Sequence, residues 1–257
     1  MKRLFSTLFV CAYWLSTLAQ VTQLPDNFTS GKAVWIVRAG ASYNGVTGSG
    51  IDDQKDTWNK NKFDGNFKRT LGASLSFGFN KPFGQSSFYW GMELGAGMRG
   101  YKTEAKKNGS SSVKSAGNWS MTSTATDKTK LNAFNAQFTP IMIGYKFLFN
   151  DNIALDIHVG GYASYDFAGE IKSEYSSSYQ TTSQHGGSSN SKKDNNSTKI
   201  SDIDKYNNHD FGVVAGAGFW FGHFNIDITW QRGFISIYDS GSDLFPNNLQ
   251  IRLGYAL

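Results

Sequence analysis

The stretch "FNIDITWQRG", residues 224–233, decides the fold. Phe224, Ile226, Ile228 and Trp230 take the even positions, and Asn225, Asp227, Thr229 and Gln231 take the odd ones. A β-strand sends successive side chains to opposite faces, so one face here is apolar and the other polar. In a soluble sandwich or barrel the apolar face points inward. In a membrane barrel it points outward, into lipid. Alternation alone establishes the strand and leaves open which face meets water.

Seven more segments have strand character. They are Ala33–Tyr43, Thr70–Phe79, Ser86–Lys102, Leu131–Phe149, Asn152–Gly169, Asp210–Phe221 and the terminal "NLQIRLGYAL", Asn248–Leu257; the quoted stretch belongs to His223–Gly233. In Leu131–Phe149 the apolar parity changes. Phe134, Ala136 and Phe138 are even, whereas Ile141, Ile143, Tyr145 and Phe147 are odd. One inserted residue reverses parity, so a β-bulge is expected near Pro140. Connections alternate in length. Residues 44–69, 103–130 and 170–209 make long links; residues 80–85, Asn150–Asp151 and Gly222 make short ones. An up-and-down barrel places all long links at one end and all short ones at the other. The long links are polar. "SEYSSSYQTTSQHGGSSNSKKDNNSTK", residues 173–199, is too poor in apolar side chains to form a core and is expected to be a mobile loop.

The totals agree with a sheet protein. The chain has 257 residues, 28 of them glycine and only 4 proline, and 15% are aromatic. Its 25 basic and 20 acidic residues leave a net charge of +5, too weak a bias to point to nucleic acid. "MKR", then "LFSTLFVCAYWL", then "STLA" reads as a secretory signal over residues 1–19. Residues 20–32 are then a periplasmic N-terminal segment, and 33–257 the barrel. Cys11 is the only cysteine and falls inside the signal, so the mature chain is expected to have no disulfide and no zinc–thiolate site.

Three features favour lipid on the apolar side. First, the polar faces mix many glycines with a few charges: Arg38, Glu93, Arg99, Lys146, Asp156, His158, Asp166, Asp227 and Arg252. That mixture suits a crowded lumen in which charges must pair. Second, apolar-face aromatics gather near strand ends. Trp90, Phe149, Phe221, Phe224 and Tyr255 lie toward the short turns, and Tyr43, Tyr165, Phe167 and Trp230 toward the long loops. This is the pattern of two interfacial girdles. Third, strands of ten or more residues match a tilted membrane crossing. The competing reading is a lipocalin-like soluble barrel with the same residues turned inward.

"FTPIMIGYKFLF", "GGYASYDFAGEI", "DFGVVAGAGFWFGHFNIDITWQRGF" and "LQIRLGYAL" resemble the bacterial outer-membrane β-barrel domain family, the PorT-like or porin-family proteins typical of Bacteroidetes. The resemblance covers roughly residues 33–257. It implies an eight-stranded antiparallel up-and-down transmembrane barrel in a Gram-negative outer membrane, with short periplasmic turns and long extracellular loops. Outer-membrane lipid and the barrel-assembly machinery are the partners it implies. It transfers no catalytic residues. Such barrels usually end in Phe, whereas this chain ends in Leu257.

No motif calls for a cofactor or metal. "GAGMRG", Gly95–Gly100, fits a dinucleotide pattern but lies inside a strand with no helix after it. His209 beside Asp210 is the one pairing that suggests a surface hydrolase or acyltransferase. An eight-stranded barrel is only just filled by side chains, which argues against a diffusive pore. The expected function is therefore non-enzymatic: a barrel presenting polar surface loops for structure, adhesion or binding of an extracellular or periplasmic protein partner. A hydrolase barrel, a narrow channel and a secretion-system component are the alternatives.

Overall fold

The computed structural model describes residues 24–25, 28, 30–113, 119–183, 186–239 and 243–257. The expected signal peptide lies outside the described residues, as does part of the 20–32 segment. The elements in chain order are β1 (Val34–Thr47), α1 (Gly50–Lys60), β2 (Asp64–Pro82), β3 (Phe88–Val113), β4 (Trp119–Asn150), β5 (Ile153–Ser183), β6 (Gly186–Lys199), β7 (His209–Phe221), β8 (Phe224–Gly233) and β9 (Phe245–Ala256).

Every pairing between these strands is antiparallel, and eight of them close a ring: β1–β2–β3–β4–β5–β7–β8–β9 and back to β1. Closure leaves no free edge at membrane depth, as a structure surrounded by hydrocarbon requires. The parity question is settled by exposure. Ile226 and Ile228 are 50% and 49% exposed, whereas Asp227 and Thr229 are 0% exposed. The same holds around the ring: Leu75, Leu94, Ile141, Val159 and Leu253 face out, while Arg38, Glu93, Lys146, Asp156 and Arg252 are buried within. The lipocalin-like arrangement is therefore excluded, because the apolar side chains do not pack together at the centre.

Register shifts mark the irregular points. One falls between Phe138 and Ile141 on β4, where parity and Pro140 place it. Another lets both Phe167 and Ala168 of β5 point outward, and a third sits between Arg69 and Ser74 of β2. At the short-turn end Gly222 takes φ 56° in the tight link between β7 and β8, a left-handed conformation that glycine adopts without steric cost.

Two expectations about the long links need correction. Residues 103–130 and 170–199 are largely strand. β3 pairs with β4 continuously from Lys102↔Lys130 to Val113↔Trp119, and β5 pairs with β4 up to Ser120↔Thr182. β6, from the stretch expected to be a mobile loop, pairs with β5 from Glu170↔Lys199 to Ser183↔Gly186. A projecting sheet, β3–β4–β5–β6, thus stands beyond the ring. Its backbone groups are satisfied along the ladder, and that does not require an apolar core. The link 44–69 also contains α1. Asp52 and Asp53 lie in its first turn and Lys60 in its last, matching the helix dipole. Buried Trp58 anchors it against Gly65 and Phe67.

Candidate functional site

The lumen is filled in three storeys. At the short-turn end Leu24 and Phe28 pack with Val34, Ile36, Ala154, Trp220 and Ala256. The Leu24 N–H donates to the Asp151 carbonyl at 2.7 Å, and the Phe28 ring meets Trp220 edge-on at 4.9 Å. At the opposite mouth Tyr101, Leu131, Ala133, Ile200, Tyr206 and Ile237 form a second apolar cluster.

Between them lies the charged storey. Glu93 accepts from Arg38 Nη1 at 2.7 Å and from Arg252 Nη1 at 2.5 Å. Arg252 Nη2 also donates to Asp227 at 2.6 Å, and Thr229 Oγ1 donates to the same carboxylate at 2.6 Å. His158 lies between Asp156 and Asp227, with Nδ1 2.9 Å from Asp156 and Nε2 3.7 Å from Asp227. Trp220 Nε1 and the Tyr89 hydroxyl donate to Asp156 at 2.9 and 3.2 Å. Glycines make room for these side chains: a Cβ on Gly144 would lie 2.3 Å from the Tyr89 ring, and one on Gly216 would lie 2.6 Å from His158 Nε2.

Arg99 and Asp166 belong to a separate group nearer the long loops. Arg99 contacts Asp166 at 2.6 Å and Asp210 at 3.6 Å. The Tyr162 hydroxyl donates to Asp210 at 2.8 Å, and the Tyr206 hydroxyl donates to Asp166. Lys146 joins neither group by hydrogen bond. Its ammonium lies 3.8 Å from the Phe28 ring centre, 4.8 Å from Tyr89 and 5.8 Å from Trp220, a cation–π cage. A lumenal void beside Glu93, Gly97, Asn135 and Arg252 holds about 20 Å³, room for one water.

The nine charged residues singled out in the sequence thus fall into two clusters and one cage. Sequence reasoning missed Phe28, Tyr89, Tyr162, Tyr206 and Trp220, and noted Asp210 only beside His209, not as a lumenal group. Strand parity carried a signal for Trp220 and Asp210, which share the lumenal side of β7 with Gly216 and Gly218. Tyr206 and Phe28 arrive from irregular segments and carry none. His209 and Asp210 do not form a pair. His209 is exposed, while Asp210 is buried and held by Tyr162 and Arg99.

On the outside, Phe149, Phe221, Phe224 and Tyr255 are exposed near the short turns, with Trp90 half-buried against Phe79. Tyr43, Tyr165, Phe167 and Trp230 are exposed near the long loops. Trp230 Nε1 donates to Asn247 at 3.1 Å, and Arg69 lies 5.3 Å from the Tyr43 ring centre. Beyond them Lys68 of β2 holds the carboxyl of Glu104, on the projecting sheet, down at about 2, helped by Lys106. Tyr175 and Tyr179 stand exposed there among serines.

A closed eight-stranded ring with a greasy exterior and a charged interior is the arrangement that a membrane barrel needs. The profile of the outer membrane protein beta-barrel domain matches residues 19–239. The chain belongs to that family. It is a protein of the Gram-negative outer membrane. Among solved structures, it is similar to Ail, the attachment invasion locus protein of Yersinia pestis. The identity is 11%, 88% of this chain and 99% of Ail are covered, and the TM-score is 0.30. Neisserial surface protein A matches at 10% identity over 88% of this chain and 99% of its own, with a TM-score of 0.33. LpxR from Salmonella typhimurium matches at 5% identity over 88% and 100%, with a TM-score of 0.25. A search of curated protein sequences finds no match.

Proposed function

We propose that this family member is a non-conducting, non-enzymatic barrel whose task is to hold the projecting sheet outside the membrane, facing away from the cell, for contact with a partner protein. One observation carries the reading. The lumen is closed by three storeys of side chains, while β3, β4 and β5 run on unbroken past the apolar band. The rigid ring fixes the sheet's position, and the exposed Tyr175 and Tyr179 offer the amphipathic contact area favoured at interfaces.

The test is made on intact cells. A photo-crosslinking residue at Tyr179 gives a protein adduct on irradiation, and the same residue at lipid-facing Phe138 gives none. Reconstituted in planar bilayers, the protein shows no stepwise current. Discrete conductance steps, or no adduct from any position on the projecting sheet, would overturn the reading.

A further inference from the structure

The outer face at the base of the projecting sheet, continued onto β2, carries a line of like charges. Lys68 lies opposite Lys102, Lys102 opposite Lys130, and Lys130 opposite Lys172, so four lysines cross β2, β3, β4 and β5 in a single row. Like charges directly opposite one another destabilise a sheet. Arg69 and Lys128 flank the row, and with Lys102, Lys130, Lys172 and the single carboxylate of Glu174 they edge a shallow hollow of about 620 Å³. Nearby carboxylates relieve only part of the charge. Glu104 is taken by Lys68 at 2.5 Å and Lys106 at 3.3 Å, and Glu170 by Lys172 at 2.6 Å. Glu174 lies opposite Lys128, and Lys130 acts on Glu170 at longer range, but among the described residues Lys102, Lys128 and Lys130 form no direct ion pair.

The row's height matters as much as its charge. Lys130 lies four residues beyond Phe134, the last exposed aromatic on β4 among the described side chains. That is about 13 Å along a strand, or about 10 Å along the membrane normal at the usual barrel tilt. Long lysine stems bend back toward the interface, which puts the ammonium groups in the headgroup layer. Exposed Leu71 and Phe134 lie directly below. One molecule can therefore rest its acyl chains on the barrel wall and its anionic groups on the lysines.

We propose that this lysine row binds the phosphate-bearing headgroup of a glycolipid in the surrounding outer leaflet. The lipid's negative charge supplies the counter-ions that the sheet lacks, and the continuous apolar wall favours a lipid over a soluble anion. The assignment rests on the outward orientation of the long loops proposed above. Symmetric bilayers remove that dependence from the test, so a failure here is distinct from a failure of orientation.

The full chain is placed in nanodiscs of phosphatidylcholine containing equal amounts of bis-phosphorylated and dephosphorylated lipid A, and lipids retained after mild detergent extraction are counted by native mass spectrometry. The wild-type protein retains the phosphorylated form about tenfold over the other. The Lys102→Gln/Lys130→Gln/Lys172→Gln variant loses that preference. Lys192→Gln/Lys193→Gln on β6 keeps it. If the triple variant does not fold, Lys130→Gln alone reads a reduced ratio. Equal retention of the two lipids, an unchanged ratio in a folded lysine-row variant, or displacement of the lipid by equimolar pyrophosphate would overturn the proposal.

Discussion

β4 and β5 each run through two regions of opposite character. Inside the ring, Ile143 and Val159 face lipid while Lys146, Asp156 and His158 face the lumen. In the projecting sheet, Thr122 and Ser123 of β4 and Ser177 and Ser178 of β5 put hydroxyls on both faces. The ladder is the same in both halves: Ile143 pairs with Val159, and Ser123 with Tyr179. The backbone does not distinguish the two regions; only the solvent chosen by the side chains does. The projecting half inherits its register from the ring below and needs no apolar face of its own.

That contrast is open to attack from three sides. The largest effect is expected in the lumen. Arg252→Met leaves Glu93 and Asp227 short of their shared partner in a buried site, and removing one member of such a network costs about 3–5 kcal/mol. Urea unfolding of the protein in lipid vesicles measures it; a loss under about 1 kcal/mol would mean that water enters the storey freely. A smaller loss is expected on the lipid face. Ile228→Lys buries a charge near mid-membrane and costs about 2–4 kcal/mol in the same assay. The smallest belongs to the projecting sheet. Thr124→Lys changes a side chain exposed to water, and stability should stay within about 0.5 kcal/mol of wild type. A Thr124→Lys loss as large as that of Ile228→Lys would erase the distinction between the two halves.

The same contrast explains what could be read from the sequence. Ring strands announced themselves because one face of each is apolar and the other is not, and the Pro140 bulge showed as a parity change between Phe138 and Ile141. β6 was invisible because "GGSSNSKKDNNSTK" has no apolar face to alternate with a polar one. α1 was hidden in a charged stretch whose single anchor, Trp58, gives no periodicity. In the lumen, charges could be placed by parity, but their partners could not. Strand order and stagger decide that Arg38 meets Glu93 and that Arg99 meets Asp166, and neither is written locally. The cage around Lys146 needed Phe28, more than a hundred residues away in the chain.

The docking of Leu24 and Phe28 has a consequence for how the molecule is completed. Their seat is built from Val34 and Ile36 of β1, Ala154 of β5, Trp220 of β7 and Ala256 of β9. Ala154 and Trp220 pair directly, but Val34 and Ile36 join them and Ala256 only when the first and last strands have zipped together. The N-terminal segment therefore finds its complete seat only on a closed cylinder. Its arrival is a built-in signal that the circle is finished, and a probe on Phe28 would time that moment.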